Sequence, residues 1–178
     1  LKTGFALRQR PSLRFLYDRA RNRRVVGGLE RVFCSFMDID RSNMRAEFHN
    51  VEHHRAHLAS AFYVSSFDRA AVLSMDGMGD FTSTMWGLGE GSKLSVNGSI
   101  NFPHSMGIIY TTVAQWLGFT SYGDEGKVMG LAPYGEDNFG SEMRQILRIS
   151  DQNKFRLDLR YFRHHTESIS YTWDGGSP

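Results

Sequence analysis

Cysteine is nearly missing from this chain: Cys34 stands alone among 178 residues. A single cysteine excludes an intramolecular disulfide framework and any metal site built on several thiolates, and it favours a reducing compartment. Cys34 itself is expected to be inert core. Net charge is equally scarce, with 21 lysines and arginines against 19 aspartates and glutamates for a formal +2. That near-balance removes any overall electrostatic case for nucleic acid or a membrane surface as partner. No run approaches the roughly 18 apolar residues of a membrane span, and no basic-then-apolar signal pattern opens the chain. A soluble, cytoplasmic protein is the expectation. Internal repeats and low-complexity segments are also lacking.

What is present suffices for one domain, since two fifths of the residues are apolar and a chain of this length can bury a real core. The start at Leu1 and the end in Asp174-Gly-Gly-Ser-Pro178 are expected of a piece cut at both ends. Basic residues crowd the first stretch, from Lys2 through Arg8, Arg10, Arg14, Arg19, Arg21, Arg23 and Arg24, with only Asp18 opposing them. A solvated helix face and an anionic partner both explain that asymmetry, and Leu13, Phe15, Leu16 and Tyr17 need cover as well.

The pattern predicts a capped amphipathic helix from Leu13 to Arg24, stopped by Gly27-Gly28, and a short helix over Leu29 to Phe36. A strand over Arg45 to Val51 and a helix over Glu52 to Tyr63 follow. Arg69 to Asp76 is an apolar strand ending on an acid, with Gly77-Met78-Gly79 read as a tight turn. Strands over Phe81 to Leu88 and Lys93 to Ile100 complete an antiparallel meander. Helices are expected over Ser105 to Leu117, Gly123 to Leu131 and Glu142 to Ile149, and a strand over Phe155 to Leu159. These elements together describe an α/β protein with a mixed sheet.

His53 and His57 stand four apart on a predicted helix, which puts both imidazoles on one face and lets them share an ion. Hydrogen-bonded surface histidines explain the spacing too. Glu52 precedes the pair instead of lying inside it, so this is not the H-E-x-x-H of zinc proteases. His49 is left outside the set because a strand-to-helix boundary falls between it and His53. Asp76 closes an apolar strand, where an ionised carboxylate is costly unless paired, hydrogen-bonded or metal-bound. Two imidazoles and this carboxylate form a set that leaves coordination positions open and suits Fe(II), Mn(II) or Zn(II).

Two glycine-rich stretches are candidates for nucleotide contact. Gly77, Gly79 and Asp80 can bring backbone N–H groups close to a phosphate, although a hairpin turn accounts for the same glycines. Between Tyr122 and Gly135, the residues Asp124, Glu125, Gly126, Lys127 and Gly130 sit at a predicted helix start, where an anion can bind with Lys127 as a point charge. The plainer reading is a surface turn whose acids cap the helix.

Four blocks, Glu52-His-His-Arg-Ala-His-Leu-Ala-Ser-Ala-Phe-Tyr63, Ser74-Met-Asp-Gly-Met-Gly-Asp80, Phe102-Pro-His-Ser-Met-Gly107 and Lys127-Val-Met-Gly-Leu-Ala-Pro-Tyr-Gly135, resemble in sequence and order the N-terminal domain of the O-carbamoyltransferase family. That family includes antibiotic-tailoring and nodulation-factor enzymes, and the likeness runs from about residue 45 to 160. The resemblance implies an actin-like, sugar-kinase-like ATPase fold of the ribonuclease H-like kind, related to enzymes that transfer threonylcarbamoyl to tRNA adenosine. It implies that His53, His57 and Asp76 ligate a divalent metal, iron foremost.

The resemblance further implies that a separate C-terminal domain makes carbamoyl-adenylate from carbamoyl phosphate and ATP with Mg2+, and that this domain passes the carbamoyl group to the hydroxyl of a small molecule or sugar. Asp124, Glu125 and Lys127 are then candidates for catalytic contacts, with Gly77, Gly79, Asp80, Gly126, Lys127 and Gly130 around the nucleotide. Residues 1–178 would be a partial domain lacking its opening hairpin and a later metal-binding aspartate, inactive alone, and a homo-oligomer is compatible with it. Gly126 departs from relatives that carry an aromatic residue there. A small-molecule kinase and a non-catalytic metal-binding module are the rival expectations, the kinase being disfavoured because magnesium sites prefer oxygen ligands to imidazole.

Overall fold

The computed structural model describes residues 13, 17, 20, 27–150 and 154–166. The helix expected over Leu13 to Arg24 therefore lies largely outside the described residues; Leu13, Tyr17 and Ala20 are helical and exposed. The chain divides into two compact units, one of residues 1–51 with 166–168, the other of 52–165 with 169–178.

In the first unit, helix α1 (Leu29–Phe36) is followed by a short 3-10 turn at Arg41–Asn43. Asp40 caps that turn by accepting the Ser42 N–H at 2.8 Å. Arg41 grips Glu30 with two parallel hydrogen bonds of 2.9 Å. Cys34 is buried, with its sulfur 3.6 Å from that of Met44. Arg45 to Val51 is irregular and forms no strand, because the segment has no described partner for a ladder and β-propensity alone does not hold an isolated strand.

The second unit begins with helix α2 (His53–Phe62), followed by strands β1 (Arg69–Gly79), β2 (Thr82–Glu90) and β3 (Lys93–Asn101), which pair antiparallel in that order. Leu58 and Phe62 of α2 pack on Val72 of β1 and Met85 of β2. The Phe62 ring lies against the backbone at Gly89, where a Cβ would collide with it. Gly77 and Gly79 remain within β1, so the turn expected there falls instead at Asp80-Phe81, with Asp80 at φ +57°. The cause is a bulge: Met75 pairs with Thr84 and Gly79 with Thr82, so Asp76, Gly77 and Met78 together face Ser83. Extra residues opposite one partner bend a strand and re-aim its side chains, and Asp76 opens this bulge.

Helix α3 (Met106–Trp116) follows, then α4 (Glu125–Leu131), a 3-10 turn at Ala132–Tyr134, α5 (Gly140–Ile146), strands β4 (Leu147–Ile149) and β5 (Phe155–Leu157), and a last 3-10 turn at Leu159–Tyr161. The helix expected over Glu142 to Ile149 thus ends at Ile146, since Leu147 to Ile149 pairs antiparallel with Phe155 to Leu157. Every pairing among the described strands is antiparallel, so they form antiparallel sheets and not the mixed sheet expected. Ile108 of α3, Leu157 and Phe162 form a second core cluster. Among the described residues no helix is long and apolar enough to cross a membrane.

β5 is tied to the end of the meander by His104, whose Nδ1 accepts the Leu157 N–H at 3.1 Å. Burial, helped by the Arg156 and His164 charges, lowers this imidazole from 6.5 to about 4. Its folded-state value is depressed, so protons favour the unfolded chain; the stability it contributes is complete above about 6.5 and is lost as pH falls toward 4. Denaturation midpoints measured between pH 7.5 and 4 should therefore fall more steeply for the wild type than for His104→Asn, whose amide oxygen accepts a hydrogen bond without titrating.

Candidate metal centre

Helical spacing puts His53 and His57 on one face of α2, with ring centroids 4.5 Å apart and Nε2 atoms 2.9 Å apart. The bulge delivers Asp76 to them: its Oδ2 lies 3.0 Å from His53 Nε2 and 3.7 Å from His57 Nε2. Among the described residues this is the one group of three such side chains whose ligand-type atoms all fall within 4.8 Å of one another. Donors about 2.1 Å from one ion stand about 3.0 to 3.4 Å apart when their angles at the ion run from right-angled to tetrahedral. The separations of 2.9, 3.0 and 3.7 Å lie within about 0.3 Å of that range. The side chains are 42%, 50% and 43% exposed, so one side of the group faces solvent and leaves room for exchangeable ligands. Two imidazoles with one carboxylate fit a borderline divalent ion such as Fe(II), Mn(II) or Zn(II).

The electrostatics favour a charged carboxylate. Partial burial works to raise the Asp76 carboxyl, but the His53 hydrogen bond, the Gly77 N–H and the nearby imidazole charges outweigh it and hold the group below its ordinary range. The Gly77 N–H donates to Oδ1 at 2.6 Å, leaving Oδ2 turned toward the histidines.

Several side chains set this arrangement. Asp80 accepts the His53 N–H at 3.0 Å, satisfying a free donor at the start of α2 and placing negative charge at its positive end. Glu52, the residue at the helix cap, makes no such bond. Ser105 is fully buried; its hydroxyl accepts the Ile108 N–H at 3.1 Å and donates to the Gly77 carbonyl at 2.6 Å. Gly107 lies so close that a Cβ there would sit 2.6 Å from the Gly77 nitrogen. The start of α3 is thereby fastened to the backbone beside Asp76.

Asp76 and Gly77 line a cleft of about 800 Å3 whose walls also include Met75, Met78, Met106, Tyr110, Thr111 and Glu125. Glu125 accepts the Thr111 hydroxyl at 2.7 Å, joining α4 to α3. Of the other predicted residues, Asp124 and Lys127 pair with each other at 2.6 Å and do not line the cleft. The hydrogen bonds from Lys127 and the Ser121 N–H hold the Asp124 carboxyl below its ordinary range. Gly126 and Gly130 lie on α4 with open space where a Cβ would be. Gly79 packs against the His53 ring, which leaves no space for a Cβ. His49 belongs to the first unit and lies 3.7 Å from Glu47.

Sequence reasoning missed His54, Ser74, Ser105 and Gly107. A serine two residues after Pro103 and directly before an apolar periodic run was a usable capping signal for Ser105. For Gly107 no local signal existed, because its need arises from another strand.

Comparison with known proteins gives one family match: the model of the carbamoyltransferase N-terminus covers residues 19–172. An uncharacterized protein of Synechocystis sp. is 42% identical over 116 residues, 65% of this chain and 19% of that protein. Nodulation protein NolO of Bradyrhizobium diazoefficiens is 36% identical over 110 residues, 61% of this chain and 20% of its own length. Nodulation protein NolNO of Sinorhizobium fredii is 34% identical over 110 residues, covering 61% and 16% respectively. The chain thus spans about a fifth of the length of these curated relatives.

Proposed function

The chain belongs to the family of carbamoyltransferase N-termini, and on that premise we propose that it carries the transfer site of an O-carbamoyltransferase. The observation that carries this reading is the convergence of His53, His57 and Asp76 beside a cleft that Asp76 itself lines. A divalent ion held by these three, Fe(II) first and Mn(II) or Zn(II) otherwise, would supply Lewis acidity toward an oxygen of the donor.

The donor in this reading is carbamoyl-adenylate, made from carbamoyl phosphate and Mg2+-bound ATP by a separate domain of the full-length protein. The acceptor hydroxyl oxygen bonds to the carbamoyl carbon, the bond from that carbon to the phosphate oxygen breaks, and AMP leaves. Glu125, on the cleft wall, is positioned to take the hydroxyl proton. Asp124 and Lys127, beyond the wall, act by shaping the loop and balancing phosphate charge, with Gly126 and Gly130 giving the nucleotide access to α4. Gly77 thins the backbone on the cleft wall, and Gly79, against the His53 ring, and Asp80 continue the same segment toward the nucleotide. The three-stranded meander with α2 packed on it supports placing the chain within an actin-like ATPase fold, in a cytoplasmic enzyme whose acceptor is a hydroxylated small molecule or sugar.

The test uses the full-length protein, stripped of metal and reloaded with Fe(II), given carbamoyl phosphate, ATP and a panel of hydroxylated acceptors. Carbamoylated product is expected with metal and not without it. A phosphorylated acceptor would identify a kinase instead, and metal binding without any turnover would identify a non-catalytic metal-binding module.

A further inference from the structure

We propose that His54 is a positioning residue that sets the distance between the two histidines on α2 and Asp76 on β1, an inference that rests on the metal-site reading above. His54 follows His53 directly and so turns away from the open face; it is fully buried among the residues that join α2 to the sheet. Its Nε2 lies 2.9 Å from the Thr82 carbonyl oxygen and its Nδ1 lies 2.8 Å from the Ser74 hydroxyl. A carbonyl oxygen can only accept, so Nε2 carries a proton and donates. In the uncharged ring Nδ1 then accepts the Ser74 proton.

A leucine would fill such a position without the cost of burying two polar nitrogens. What the imidazole adds is direction. Ser74 lies two residues before Asp76 on the same face of β1, and Thr82 is the first residue of β2. One bond thus reaches β1 just before the bulge at Asp76 to Met78, and the other reaches β2 just after it. The irregular segment that aims Asp76 is pinned at both ends to the helix that carries His53 and His57. Partners of this kind, one step behind the ligands, typically govern metal affinity about 10- to 100-fold.

The experiment measures Co(II) binding to the metal-free full-length protein by its visible absorption, together with thermal midpoints of the metal-free forms, for wild type, Ser74→Ala and His54→Leu. Ser74→Ala is expected to weaken Co(II) binding about 10- to 100-fold and to shift the absorption bands. His54→Leu is expected to lose affinity at least as strongly and to lower the thermal midpoint, since it leaves the buried Ser74 hydroxyl and the Thr82 carbonyl without their partner. A residue that only filled the core would lower the midpoint of His54→Leu yet leave Ser74→Ala with unshifted Co(II) bands. Should His54→Leu fail to fold, Ser74→Ala decides alone. Wild-type affinity and spectrum in Ser74→Ala would overturn the positioning role and leave the metal site standing. A wild type that binds no Co(II) would remove the metal reading and this inference with it.

Discussion

Carbamoyl transfer by the full-length protein is expected to fall about a thousandfold on Asp76→Asn, a loss of several kcal/mol of transition-state stabilisation. Asparagine keeps the size and shape of the side chain, so packing at the bulge should survive. What disappears is the negative charge: among the described residues Asp76 Oδ2 is the one anionic donor grouped with the His53 and His57 rings, at 3.0 and 3.7 Å. The amide also breaks the hydrogen-bond pattern, because a nitrogen turned toward either the imidazoles or the Gly77 N–H is a donor facing a donor or a metal ion. If carbamoyl-adenylate is made by another domain, as proposed, its formation should persist, so an assay for the carbamoyl-adenylate itself separates the two steps. His57→Ala should give the same pattern. Wild-type transfer by Asp76→Asn would show that the convergence of the three side chains serves another purpose.

A second large effect is expected in stability. In Gly107→Ala the new Cβ would stand 2.6 and 2.7 Å from the nitrogen and Cα of Gly77 and 2.9 Å from the carbonyl carbon of Asp76. All three neighbours are backbone, so no side chain can swing away; α3 must retreat from β1 or the bulge must shift. Overpacking of this kind costs about 1 to 3 kcal/mol, and here the displaced atoms adjoin Asp76, so metal binding should weaken as well. Gly126→Ala is the contrasting case. Nothing lies within 4 Å of a Cβ there, and alanine in a helix interior is favoured over glycine by about 0.5 to 1 kcal/mol. Denaturant midpoints should thus move in opposite directions for the two substitutions.

The features legible in the sequence were those with a short period. Four-residue spacing placed His53 and His57 on one helical face, and an apolar run ending on an acid singled out Asp76, although the strand runs on past it to Gly79. Features that depend on a partner elsewhere in the chain were not legible. Arg45 to Val51 has strand-like composition but meets no ladder, while Leu147 to Ile149 continues a helical pattern until Phe155 to Leu157 claims it. Gly77 and Gly79 look like a turn, and only the pairing of Met75 and Gly79 with β2 reveals a bulge. The acids after Gly123 illustrate the same limit: Asp124 and Glu125 are neighbours, yet one closes a salt bridge with Lys127 and the other faces the cleft. His54 was overlooked because its meaning lies in Ser74 and Thr82, not in its neighbours.

The hydrogen bonds from α2 to Ser74, Asp76, Asp80 and Thr82 all run to the hairpin of β1 and β2, and none of them spans more than 28 positions of chain. Closing a loop of that size costs little entropy compared with joining distant parts of a long polypeptide. The three ligating groups therefore meet through contacts that are local in sequence, within residues 53–82. Contacts of short separation are expected to form before long-range ones on refolding, with α3 fastening the backbone beside Asp76 afterwards.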